Sequence, residues 1–262
     1  MIFKGAVAVL SGAGRRNGVG AATARLLAQN GCNILINCLK NKDQALSVVD
    51  DCRREGVEAE LFVGDVTKSQ TCHEMAELVR EKWQRTDIVI NSLGVTKGAS
   101  YEKLEQLSED DFQKMFSVNA TAPYLMCQAF QSMLRESGDA AVINVSSAAG
   151  ITGKGSSIAY AAAKGAENTL TLALAQALSP EVRVNAVCPS FIDSSWWEET
   201  FAGKDDKYQS LVKSMQGTNL LRRVLKPQDV AQMIFTVLQN PVMTGELVRL
   251  DAGAHVGKAN PR

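Results

Sequence analysis

The chain has 262 residues, 45% of them apolar and 21% charged. That is the composition of an ordinary folded protein and gives no support to a disordered or fibrous one. Its 28 Lys and Arg balance its 28 Asp and Glu, so no net field gathers phosphate backbones or anionic lipid, and neither nucleic acid nor membrane is an expected partner.

Short runs rich in Val and Ile read as strands at 7–10, 34–37, 59–63, 87–91, 140–145, 182–187 and 247–250. Most are apolar throughout rather than alternating, as strands are when helices cover both faces of a parallel sheet. Helix-period runs fall between them. Val19, Ala22, Thr23, Leu26 and Leu27 make one stripe, which Gly31 ends as a C-cap; others span 42–54, 69–82, 109–134, 156–178 and 227–239. The alternation predicts an α/β fold, a doubly wound Rossmann-type parallel sheet of about seven strands in one domain over 1–262. Residues 194–225 form a long connection of mixed character carrying Trp196 and Trp197. Long connections at the carboxyl edge of such sheets are commonly lids or binding loops, and this one is expected to order over its ligands.

No n-region, apolar core and cleavage site precede the first strand. The most apolar helical stretch, 159–178, is interrupted by Lys164, Glu167, Asn168 and Gln176 and reads as a core helix. The six cysteines are scattered, with no C-x-x-C pair and no His at ligand spacing. They read as reduced, buried thiols of a cytoplasmic protein, and no metal site is expected.

Three places carry chemistry. After the first strand, Ser11-Gly12-Ala13-Gly14-Arg15-Arg16-Asn17-Gly18-Val19-Gly20 leads into a helix, where glycines let the backbone approach a pyrophosphate and helix N–H groups meet the anion. The match is G-x-x-x-G-x-G from Gly14 to Gly20, and by itself it also suits a plain tight turn. Tyr160 and Lys164 stand four residues apart, one above the other on a helix, so an ammonium can favour the ionised phenol, whose free pKa of about 10 is high for a base. An isolated pair of this kind is more often a plain surface pair. Ser146-Ser147 stands at a strand end thirteen residues before Tyr160, where a hydroxyl can bind a carbonyl oxygen.

In this order the chain resembles the short-chain dehydrogenase/reductase family. The resemblance runs from about Lys4 to Gly253 through the glycine turn, Asp65-Val66, Asn91-Ser92-Leu93-Gly94, Val118-Asn119, Ser147, Tyr160 and Lys164, Pro189-Ser190 and Asp251-Ala252-Gly253. It implies an oxidoreductase moving a hydride between a nicotinamide and a small carbonyl or alcohol substrate, without a metal. Tyr160 is then the general acid or base, and Lys164 lowers its pKa and holds the ribose. Ser147 polarises the substrate oxygen, and Asn119 anchors a water in a relay to Lys164. Cofactor contacts are implied for residues 11–20, for Asp65 and Val66 at the adenine, for Asn91 and Gly94 at the ribose, and for Pro189, Ile192 and Ser194 at the nicotinamide. Relatives commonly form dimers or tetramers, so a homo-oligomer through helices near 109–134 and 156–178 is implied.

The chain also departs from the family pattern. Its glycine turn has two extra residues, and Ser92-Leu93 and Ser190 replace the usual Asn-Ala and Gly. NADP(H) is favoured over NAD(H): the second strand ends in Asn37-Cys38-Leu39-Lys40, with no carboxylate for a ribose 2′-OH. Lys40, Arg15 and Arg16 supply positive charge for a 2′-phosphate. The alternatives are a 3-oxoacyl carrier-protein reductase, which the acidic stretch Glu136 to Asp139 speaks against, and a nucleotide-sensing protein without turnover. Trp196 and Trp197 either line the substrate pocket or pack the loop to the body.

Overall fold

The structure, a computed structural model, describes residues 1–197 and 204–258. Seven parallel strands, β1 (Val7–Ser11), β2 (Asn33–Cys38), β3 (Ala59–Val63), β4 (Ile88–Asn91), β5 (Ala140–Val145), β6 (Val182–Pro189) and β7 (Leu247–Leu250), lie in the order β3-β2-β1-β4-β5-β6-β7. Most strand positions on both sides are apolar, so helices cover both faces. Ala8, Leu10, Ile34, Ile36, Ile88, Ile90 and Ile143 pack with α1 (Val19–Gln29), α2 (Lys42–Arg54) and α9 (Pro227–Gln239). Val7, Val9, Leu35, Val89, Val142 and Val184 face α3 (Ser69–Trp83), α5 (Ala122–Ser137) and α7 (Ile158–Leu178), with Met75, Met126 and Phe130 fully buried between. This is the doubly wound sheet read from the sequence, with most element ends within a residue or two of expectation.

The structure departs from expectation at four points. The helix expected over 109–134 is α4 (Glu109–Phe116), a π-helical turn (Ser117–Thr121) and then α5. In this wide turn Asn119 Nδ2 donates to Met115 O at 2.9 Å, a side-chain bond to a carbonyl one turn back. β6 runs on to Pro189 because β7 pairs beside it, Pro189 opposite Leu250. The expected loop at 194–225 holds α8 (Asp205–Gly217). A short helix, α6 (Ala149–Thr152), follows β5. Residues 198–203 of that loop, expected to order over its ligands, lie outside the described residues. No described helix is long and apolar enough to cross a membrane, and all six cysteines are free and buried.

At the amino edge of the sheet the buried Asp87 acts as a clamp. Its Oδ2 accepts from Val7 N at 2.8 Å and Arg85 Nε at 2.9 Å, while Oδ1 accepts from Arg85 Nη2 at 2.7 Å and from the Ser137 hydroxyl. One carboxylate thereby joins the start of β1 to the end of α5. Asp87→Ala leaves these donors without their acceptor and is expected to lower stability by about 2–3 kcal/mol. Urea unfolding checks this: the midpoint should fall with the slope unchanged, and an unaltered midpoint would mean that the clamp contributes nothing.

Candidate active site

Parallel strands send every β-to-α connection to one edge, and the connections after β1 and β4 part company there because the chain winds in opposite directions from these neighbours. A cleft of about 1560 Å³ opens at this edge, larger than a pocket for one small ligand.

The glycine turn forms one end. Gly12 has φ +68, and a Cβ there would lie 2.6 Å from Leu93 Cα; one on Gly14 would lie 2.4 Å from Cys38 Cβ, and one on Gly20 2.7 Å from Ala13 Cα. The turn can close on β2 and on the segment after β4 only because these side chains are missing. Gly18 is the N-cap of α1 without a side-chain cap, and no acidic residue stands in the first turn, which Val19 opens. The helix N–H groups are therefore left for an anion from the cleft. Gly12, Gly14, Arg15, Gly18 and Val19 line the cleft here, with Cys38 and Lys40 from the end of β2. A dinucleotide phosphate fits the chemistry of this cradle, an uncapped helix start beside a close-packed glycine turn.

The two arginines diverge. Arg15 lines the cleft and donates from Nη1 to Ser195 O at 3.0 Å. Arg16 is turned outward, 55% exposed and 3.9 Å from Asp51 on α2. Asn17 lines a smaller neighbouring pocket with Asp193, Ser195 and Trp197. Further along the cleft wall come Asp65, whose Oδ1 takes Thr67 N at 3.0 Å, then Val66, Gly94, Pro189, Ile192 and Ser194. Ser11 and Asn91 are not in that wall. They are fully buried behind it, where Ser11 Oγ donates to Asn91 Oδ1 at 3.2 Å and Asn91 Nδ2 to Asn144 Oδ1 at 2.9 Å. The ribose contact expected of Asn91 therefore has no open path from its side chain.

At the other end, α7 begins at its N-cap Ser157, whose hydroxyl accepts from Tyr160 N at 3.2 Å. One turn separates Tyr160 and Lys164, which line the cleft with Ser147 from the tip of β5. Ser147 Oγ accepts from Ala149 N at 3.1 Å. Lys164 is buried: Nζ donates to Val145 O at 3.0 Å and to Glu167 Oε2 at 2.7 Å, which leaves one of its three donors for the cleft. Asn119 is fully buried behind Gly94. Its Nδ2 donates to Met115 O and Val95 O, and its Oδ1 accepts from Val95 N at 3.2 Å. A Cβ on Gly94 would stand 3.2 Å from Asn119 Oδ1 and 4.0 Å from Lys164 Nζ, so glycine keeps that space open between the two.

The electrostatics differ from expectation in one respect. Burial pushes the Tyr160 phenol up; Lys164 and the Ser147 hydroxyl pull it down, Glu167 raises it again, and the outcome lies above the ordinary tyrosine value. Lys164 thus acts in the expected direction, but the dry site outweighs it. Burial pulls the Lys164 ammonium down, yet Glu167 and Tyr160 together hold it above the usual lysine value.

Trp196 and Trp197 take different parts. The Trp196 ring lies 6.0 Å from Tyr160 at 46°, whereas Trp197 stacks on Phe191 at 5.3 Å and donates from Nε1 to Ile192 O at 3.1 Å. Leu211 and Met215 of α8 also line the cleft. These and Glu167 were missed by sequence reasoning, which saw Glu167 only as a charge interrupting an apolar helix.

A family model described as enoyl-(acyl carrier protein) reductase matches residues 12–255. The chain is 29% identical over 247 residues, 93% of it and 94% of the relative, to the provisionally assigned ketoacyl reductase 2 of the granaticin polyketide synthase of Streptomyces violaceoruber. To the 3-oxoacyl-[acyl-carrier-protein] reductase FabG of Thermotoga maritima it is 28% identical over 260 residues, 97% of this chain and 99% of that one. A crystal structure from Burkholderia xenovorans, provisionally assigned as a short-chain dehydrogenase/reductase, superposes with a TM-score of 0.88 at 34% identity, covering 96% of this chain and 98% of the other. The chain belongs to the short-chain dehydrogenase/reductase family, oxidoreductases that use a pyridine nucleotide on alcohol and carbonyl groups.

Proposed function

We propose that this protein reduces the carbonyl group of a small molecule with NADPH, or oxidises the matching alcohol with NADP+, with Tyr160 as proton donor or acceptor. The observation that carries the reading is that Tyr160, Lys164 and Ser147 converge on one cleft whose far end is a glycine cradle without side chains. When bound, the nicotinamide supplies or takes the hydride. Ser147 and Tyr160 hold the substrate oxygen, and Tyr160 gives it a proton as the oxygen gains charge. Lys164, fixed by Val145 O and Glu167, offers its remaining N–H to the ribose. Asn119 steadies the segment at Val95 beside Lys164; a relay water on its Oδ1 is part of the proposal. Trp196, beside Tyr160, supports an apolar substrate body.

The cofactor preference rests on the end of β2, where Cys38 and Lys40 line the cleft and no carboxylate does, and on Arg15 across from them. Exposed apolar side chains on α4, α5 and α7, namely Phe112, Phe116, Tyr124 and Leu172, favour association of copies through these helices. The relatives named for ketoacyl reduction support a second reading, a 3-oxoacyl carrier-protein reductase. NADPH-dependent turnover of an acetoacetyl carrier protein, compared with free ketones and quinones, separates the two.

Tyr160→Phe is expected to reduce turnover by about 10²-fold or more, as loss of a positioned proton donor does, with the fold and NADPH affinity retained. Steady-state kinetics and a binding titration check it, and near wild-type activity would refute the assignment. NADPH should bind at least about tenfold more tightly than NADH, because a charge-assisted contact is worth about 1.5–3 kcal/mol. Arg15→Ala should narrow that ratio by weakening NADPH, and Arg16→Ala should change it less. Equal dissociation constants for the two nucleotides in the wild type would defeat the preference.

A further inference from the structure

Glu167 is fully buried, in the turn of α7 that follows Lys164. A carboxylate in such a place carries a desolvation cost that an aliphatic residue would avoid, yet its surroundings do not neutralise it completely. Oε2 takes the Lys164 ammonium at 2.7 Å, while Oε1 is buried without a hydrogen-bond partner, as is the neighbouring Asn168 Nδ2. The groups packed around it are few. Lys164 and Tyr160 share its helix, Ser146 follows β5, and Cys188 comes from β6 with Arg249 of β7 beside that thiol. Glu167 is the carboxylate among them, so its charge falls on the lysine and the phenol.

We propose that Glu167 is a positioning residue for this chemistry: it anchors Lys164 from inside the fold and opposes its charge at the Tyr160 phenol, so that the phenol keeps its proton and the site is set for carbonyl reduction. The proposal rests on the reading of Tyr160 as the proton donor. Lys164 alone beside a phenol favours phenolate, the form that oxidation of an alcohol needs. A carboxylate 2.7 Å from that ammonium cancels part of its field, which favours the protonated donor that reduction needs. The pair also fixes Lys164: with Val145 O and Glu167 holding two donors, the ammonium can rotate neither into the core nor out over the cleft. The directions agree, since Glu167 raises both Tyr160 and Lys164, while burial pushes Glu167 itself up to about 7 against the pull of Lys164.

The test reads the phenol directly and needs no substrate. Alkaline difference titration at the tyrosinate absorbance band, wild type minus Tyr160→Phe, isolates Tyr160; the same difference is taken in the Glu167→Gln background. Glu167→Gln keeps a hydrogen-bond acceptor for Lys164 but no charge, and should lower the Tyr160 midpoint by about one pH unit, the scale of one screened charge at this range. Glu167→Met should move it the same way and serves if the glutamine variant does not fold. Glu167→Asp, which retains the charge, should return it towards the wild-type value. In NADPH-dependent reduction of a probe diketone, the alkaline limb of kcat should fall to lower pH in Glu167→Gln in step with that midpoint. A purely structural role lowers the melting temperature and activity at all pH values and leaves the midpoint in place; coincident wild-type and Glu167→Gln midpoints would overturn the proposal. If Tyr160→Phe turns over normally while the midpoint still shifts, the functional reading fails and the coupling of Glu167 to the phenol stands.

Discussion

A parallel sheet has one chemical edge. Because all seven strands point the same way, each strand end presents its following loop on the same side, and right-handed crossovers on opposite faces leave a crevice where β1 adjoins β4. The glycine turn, the Asp65 segment, Gly94, Ser147 and the Pro189–Ser194 stretch are remote in sequence and meet for this reason alone. The amino edge holds the opposite kind of residue: Asp87 and its donors are engaged in joining strands to a helix.

Between the edge and the core runs a line of polar side chains that a buried parallel sheet would ordinarily lack. Ser11 of β1 donates to Asn91 of β4, Asn91 to Asn144 of β5, and Asn144 Nδ2 to Thr171 Oγ1 on α7 at 2.9 Å. Thr171 Oγ1 in turn reaches Glu167 O at 2.9 Å. Each link satisfies the one before it, the condition under which buried polar groups specify a structure rather than weaken it. The line ties three strands to one helix and so fixes how far along the sheet α7 sits. Gly150 completes the fit, since a Cβ there would lie 2.5 Å from the Lys164 carbonyl carbon and force α6 away from α7. Tyr160 faces Ser147 because these contacts admit little sliding.

The parts that the sequence made legible are those governed by short-range pattern. Val-rich runs and three-four stripes gave the strands and helices, Gly31 (φ +89) the end of α1, and the Tyr160–Lys164 spacing a shared face. What it concealed depends on contacts between distant segments. The two arginines of the glycine turn are adjacent in sequence, yet one lies in the cleft and the other against α2, because Gln44 and Asp51 stand where Arg16 emerges. Asn91 occupies the expected position in the chain but points behind the wall, drawn by Asn144. The π-helical turn at Asn119 is invisible to a periodicity that finds a helix on either side of it.

Glu167 shows why a spacing motif places charges without fixing their effect. In a helix the residue three positions after Lys164 stands beside it as surely as the residue four before it, so a Y-x-x-x-K pair always has a further neighbour. An aliphatic side chain there leaves the ammonium acting on the phenol undivided. A carboxylate divides that action, and in a dry site a single charge at hydrogen-bond distance is not screened away as it is at the surface. Burial has already moved the phenol against ionisation, so the balance between proton donor and proton acceptor is set by three groups together. Under the proposed function Tyr160 and Lys164 are the machinery, and the direction in which it is poised depends on the helix turn beneath them.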